Sequence, residues 1–116
     1  MALFASEYLG IPIDRTALPD VPESTWDVIL SCYTMAYLTP DDLRESLSGL
    51  HRGGHQYLIV MEPMGQEELG RRGTALPEWY HNYVMACQET GWTMLWRWPI
   101  LPPVDGLNAL LIAERA

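Results

Sequence analysis

Two largely apolar stretches, Trp26–Cys32 and Gln56–Met61, flank a segment of helical periodicity, and that order leaves few folds open. The run WDVILSC holds three consecutive apolar positions without alternation, which predicts a strand covered on both faces, as in a parallel sheet. The segment LTPDDLRESLSGLHRGG then carries the signals of one helix. Thr39 caps it, Pro40 fits its first turn, and Asp42 stands at capping-box spacing. Leu43, Leu47 and Leu50 fall at i, i+4 and i+7, a single stripe for a core. Arg52 suits the last turn, and Gly53-Gly54 stops the helix. QYLIVM is the second buried strand, and the three elements make a right-handed βαβ crossover.

The flanks are read more coarsely. Residues 2–9 fit a helix end closed by Gly10, GIPID a short strand weakened by Pro12, and RTALPDVPEST a loop. Glu62–Thr74 is a polar loop with room for one helical turn. Leu76–Gly91 is expected as an amphipathic helix opened by Pro77, burying Tyr80, Tyr83, Val84 and Cys87. Trp92–Trp98 alternates as a strand, with Trp92, Met94, Trp96 and Trp98 on one face. Trp92 and Trp96 read as core, whereas Trp79 and Trp98 fit either core or a partner surface. PILPPVDG reads as a loop and Leu107–Glu114 as a final strand. No helix separates the last two strands, so they are expected to pair antiparallel in a layered α/β sheet.

Composition removes several classes of function. The 116 residues suit one domain, with apolar residues at 48%. A net charge of −8 with seven Lys and Arg argues against a nucleic-acid footprint on this chain, because phosphate binding needs clustered cations. No apolar run has the length of a membrane span, and MALFASEYLG lacks the basic start of a secretory signal. Cys32 and Cys87 sit in apolar segments and read as reduced core thiols, which points to an intracellular, reducing compartment. His51 and His55 are split by the glycine pair, and His81 follows Tyr80 on the expected helix, so no metal site is expected. No Ser-His-Asp or Cys-His arrangement supports nucleophilic hydrolysis.

From Asp14 to Pro63 the motifs stand in a recognisable order: Asp14, the Leu18-Pro19 loop, the Trp26-Asp27 pair, then Gly53-Gly54 before the second strand. That set resembles the second half of a class I S-adenosylmethionine-dependent methyltransferase, over roughly residues 5–115. The resemblance implies a Rossmann-like sheet truncated at its N-terminal side, mostly parallel, with an antiparallel C-terminal strand pair. Residues 1–116 would then be a single partial domain of that kind. It implies S-adenosylmethionine as cofactor, yet the Gly-rich turn that carries most of the cofactor contacts in that family has no counterpart here.

By the same resemblance Asp14 would accept from the adenine amino group, with the backbone N–H of Arg15 beside it. Ser31, Cys32 and Tyr33 would line the methionine part of the cofactor at a strand's carboxyl end. Tyr37 would orient a substrate, and Glu62 would bind an amine or act as a base. Each has a plainer reading: Asp14 in an Asx turn, Cys32 in the core, Tyr33 and Tyr37 as packing aromatics, Glu62 solvated.

Two functions follow. In the first, the chain is the C-terminal half of a methyltransferase, inactive alone, with the Gly-rich half supplied by another polypeptide or a second copy, and in-line methyl transfer governed by positioning. In the second, it is a non-catalytic methyltransferase-derived subunit or scaffold in a larger assembly. Either way the first strands leave an open sheet edge near Trp26–Cys32 or Ile11–Asp14, so a protein partner or homo-oligomer is expected to cover it. The acidic charge favours a basic or neutral partner.

Overall fold

A computed structural model describes residues 18, 20, 25–70, 78–104 and 107–116. The expected helix at 2–9, the GIPID strand, Asp14 and Arg15 lie outside the described residues. In order, the elements are β1 (Val28–Cys32), a 3₁₀ turn (Met35–Tyr37), α1 (Pro40–Arg52), β2 (Tyr57–Glu62), β3 (Glu68–Gly70), β4 (Glu78–Tyr80), α2 (Tyr83–Glu89), β5 (Trp92–Val104) and β6 (Leu107–Arg115).

The helix α1 forms for the reasons its sequence announces. The Thr39 side chain accepts from the Asp42 N–H at 3.2 Å, Pro40 opens the first turn, and Asp41 and Asp42 face the positive helix end. His51 and Arg52 close the last turn, and Gly54 takes a φ of +83° that other residues adopt at a cost. Leu43, Leu47 and Leu50 are fully buried, each burial contributing roughly 1.5–3 kcal/mol. They join Leu58 and Val60 of β2, Tyr83, Ala86 and Cys87 of α2, and Ala109, Leu111 and Ala113 of β6 in one core.

The sheet corrects the expected architecture. Its strand order is β1-β2-β6-β5, and only β1–β2 is parallel; β2–β6 and β6–β5 are antiparallel. The fold is a small mixed α/β domain with a mostly antiparallel sheet, not a mostly parallel Rossmann-like one. The reason is where β6 lies: it returns from β5 without a helix and inserts beside β2, which makes both of its own pairings antiparallel.

Four other expectations change. The helix expected from Leu76 starts only at Tyr83, capped by the Asn82 side chain accepting from the Met85 N–H; Glu78–Tyr80 is instead a strand paired with Glu68–Gly70. The Glu62–Thr74 loop thus contributes a strand and not a helical turn among its described residues. The proline-rich segment after Trp98 continues β5 to Val104, with a register shift between Pro99 and Val104. The Trp face also breaks. Met94 pairs with Ala113 and Trp96 with Ile112, so Leu95 is an extra residue, a bulge that turns Trp96 and Trp98 to the outer face. Trp92 stays buried and donates its indole N–H to the Leu47 carbonyl at 3.1 Å, whereas Trp96 is 57% exposed and stacks on Trp98 at 5.0 Å.

β1 is covered on one face only. Ile29 and Ser31 face the core, while Val28, Leu30 and Cys32 are exposed, Leu30 at 63%. Cys32 is therefore a free exposed thiol, not the core residue the apolar run suggests, and Cys87 alone is buried. Burial pushes the Cys87 thiol up to about 12.

Candidate functional site

A tightly constrained region lies at the carboxyl ends of the parallel pair β1 and β2. Ligands of open α/β sheets bind at that end of parallel strands. Here β2 finishes at Glu62, a fully buried carboxylate at the close of the apolar run YLIVM. Its Oε2 accepts from the Ser31 hydroxyl and from the Thr34 N–H, each at 2.9 Å; its Oε1 accepts from the Ala36 N–H at 3.1 Å. The carboxylate thereby caps the 3₁₀ turn Met35–Tyr37, whose first N–H groups have no partner of their own, and welds it to the end of β1. Burial raises the Glu62 carboxyl above its ordinary value; the Thr34, Ser31 and Ala36 donors pull it back without cancelling the shift.

Between the end of β1 and the turn the chain passes through Tyr33 at φ +52°, a left-handed conformation that a non-glycine residue holds only where its surroundings fix it. The surroundings are visible: the Tyr33 N–H donates to the Met61 carbonyl at 2.9 Å, and its phenol donates to the buried Glu78 of β4 at 2.8 Å. The Tyr33 ring lies 6.0 Å from that of Tyr37, which is 41% exposed. A second clamp comes from β4's far end. His81 is fully buried and its Nε2 donates to the Met35 carbonyl at 3.1 Å, which places the proton on Nε2. Its Nδ1 has no partner among the described residues, and burial lowers the imidazole below its ordinary value. The Tyr83 ring meets His81 edge-on at 5.4 Å, and burial near Glu62 pushes the Tyr83 phenol upward.

Beside this lattice a cavity of about 170 Å³ opens between Leu18, Ile29, Met35 and Leu50, with Ser31 and Thr34 as its polar residues. It is smaller than the roughly 300–1,000 Å³ that encloses a small ligand. The arrangement can present a fixed loop and two hydroxyl oxygens as acceptors to part of a ligand, since Ser31 donates its proton to Glu62 and Thr34 donates its own to the Cys32 carbonyl.

The sequence-expected residues thus fall as follows. Ser31, Tyr33, Tyr37 and Glu62 converge on one turn. Cys32 points to the outer face, away from Ser31, by strand alternation. Glu62 is not solvated; the Ser31 hydroxyl and the Thr34 and Ala36 N–H groups hold its buried carboxylate. The parts played by Glu78 and His81 are hidden in the sequence because LPEWYH reads as a helix start, whereas Glu78–Tyr80 is a strand. A carboxylate ending the buried run YLIVM was the available signal for the Glu62 lattice.

Among the described residues no group of three His, Cys, Asp or Glu side chains could hold a metal ion, and no helix is long and apolar enough to cross a membrane. No protein-family model and no curated protein matches the chain.

Proposed function

We propose that the chain is the C-terminal half of an S-adenosylmethionine-dependent methyltransferase domain, working together with a Gly-rich half that these residues do not carry. The observation that carries this reading is the small cavity at the end of β1, bordered by Ser31 and Thr34 and held by the buried Glu62. Its position is where a cofactor's lesser half would rest, and its size suits part of a ligand only. The mostly antiparallel sheet lends no support of its own; the ordered motifs and the site do. In this reading Ser31 and Thr34 border the cofactor, Tyr33 fixes the loop, and Tyr37 faces the acceptor from the exposed side of the turn. The protein's contribution to methyl transfer would be positioning.

The test is an NMR titration of the folded chain with S-adenosylhomocysteine at millimolar concentration, the affinity expected of half a site. Saturable shifts confined to the amides of Ser31, Thr34 and Met35 are the expected result. A folded chain whose amides there do not move would sink the reading.

A second reading is favoured by a separate fact: the Ser31 hydroxyl and Glu62 carboxylate are spent on each other and on the backbone. In that case the lattice is structural and the chain serves as a non-catalytic subunit. Unmoved amides in the titration, with a partner covering β1, would favour it.

A further inference from the structure

A second cavity lies away from the end of β1. It measures about 350 Å³ and is lined by Met64, Arg97, Pro99, Asn108 and Ala109. That volume falls inside the roughly 300–1,000 Å³ typical of small-ligand sites.

Its walls are set by two features of the chain. The Asn108 side chain is locked against the backbone of Met64: its Oδ1 accepts from the Met64 N–H at 2.7 Å, and its Nδ2 donates to the Met64 carbonyl at 2.9 Å. This fixes one wall and leaves the Asn108 amide one N–H and one lone pair beyond its bonds to Met64. The bulge at Leu95 sets the other wall. It rotates β5 so that Arg97 pairs with Leu111 and Pro99 with Ala109, placing both on the sheet face that carries Leu111 and Ala109. Without the extra residue the tryptophans would occupy this face.

Charge decides the ligand. The chain's net charge is −8, and cations are scarce. Arg44 is held by Glu67 and Glu89, and Arg115 donates its Nε–H to the His51 carbonyl at 2.8 Å. Arg52 stands exposed in the last turn of α1, at the negative end of the helix. Arg97 makes no ion pair with a described residue, and no carboxylate stands among the described lining residues. A guanidinium beside methionine, proline and alanine recognises a carboxylate by its two-pronged fork and a short apolar body by contact.

We infer that this cavity binds a small organic monocarboxylate with an apolar body, the carboxylate on Arg97 and the body against Met64, Pro99 and Ala109. The site does not depend on cofactor binding, and its test uses none.

Benzoate is the probe, and its neutral counterpart benzamide is the control, both followed by amide NMR on the full chain. Benzoate is expected to shift Met64 and Ala109 saturably, to weaken as salt is raised, and to exceed benzamide by about tenfold or more. Arg97→Gln should weaken benzoate by a similar factor, with the α1 and β2 amides unmoved as the sign of an intact fold. Arg52→Gln should leave it unchanged. Equal binding of benzoate and benzamide, undiminished benzoate binding by Arg97→Gln, or no saturable shift at Met64 and Ala109 would each overturn the proposal.

Discussion

The Ser31 hydroxyl donates to the Glu62 carboxylate at 2.9 Å, across the one parallel strand pair and entirely within the buried interior. This contact joins the end of β1 to the end of β2 at the point where the chain turns into Met35–Tyr37. Removing the carboxylate leaves the N–H groups of Thr34 and Ala36 and the Ser31 hydroxyl without their acceptor. Glu62→Ala is therefore expected to cost about 2–4 kcal/mol in urea unfolding, and Ser31→Ala about 1 kcal/mol. The same carboxyl has a pH signature. Its folded value lies above the ordinary 4.5, so the folded state holds the proton more tightly than the unfolded chain. Its contribution is fully present below that value and is lost as pH rises through the folded one. Glu62→Gln should remove this slope from the urea midpoint.

His81 has the opposite sign. Burial lowers it below the ordinary 6.5, so the unfolded chain takes up the proton first. Stability should fall as pH drops below 6.5, and His81→Phe should flatten that limb while leaving the Glu62 limb in place. An unchanged acid limb in the variant would show that His81 is not its source.

The bulge at Leu95 predicts unequal tryptophans. Trp92 is 2% exposed and hydrogen-bonded to Leu47, and Trp92→Ala should cost about 3–5 kcal/mol in urea unfolding. Trp96→Ala removes an outward ring and should stay within about 0.5 kcal/mol. Similar costs for the two would mean that Trp96 faces the core.

The thiols should react one at a time. Native chain is expected to lose only Cys32 to iodoacetamide at neutral pH, because Cys87 is buried and pushed up to about 12. Urea should expose the second, and Cys32→Ser should leave no reactive thiol in the native chain.

The edge of β1 makes the partner proposal testable by hydrogen exchange. The Tyr33 N–H bonds the Met61 carbonyl of β2, so by alternation Ile29 and Ser31 turn their amides inward and Val28 and Leu30 turn theirs to the open side. Among the described residues neither bulge nor proline nor charge guards the VILSC edge. The Leu30 amide should exchange fast in the isolated chain and slowly in the assembly. Fast exchange of Val28 and Leu30 in the assembly would remove the case for a partner on this edge.

Some of this molecule was legible before any coordinates. Thr39, Pro40 and Gly54 announce α1 because caps act through backbone groups a few residues away, and Leu43, Leu47 and Leu50 mark its inner face because helical period is local. The apolar runs around Ile29 and Leu58 named two strands for the same reason. Tertiary structure decided the rest. Whether β2 meets a parallel or an antiparallel neighbour depends on where β6 inserts, a pairing across some fifty residues that no local pattern encodes. One unpaired residue, Leu95, reassigns Trp96 from core to surface, since strand faces alternate every residue and the bulge is visible only against Ala113 and Ile112. Glu62 gains its role from Ser31, Thr34 and Ala36, about thirty positions earlier in the chain. A carboxylate at the end of a buried run needs donors, and folding alone determines which donors arrive.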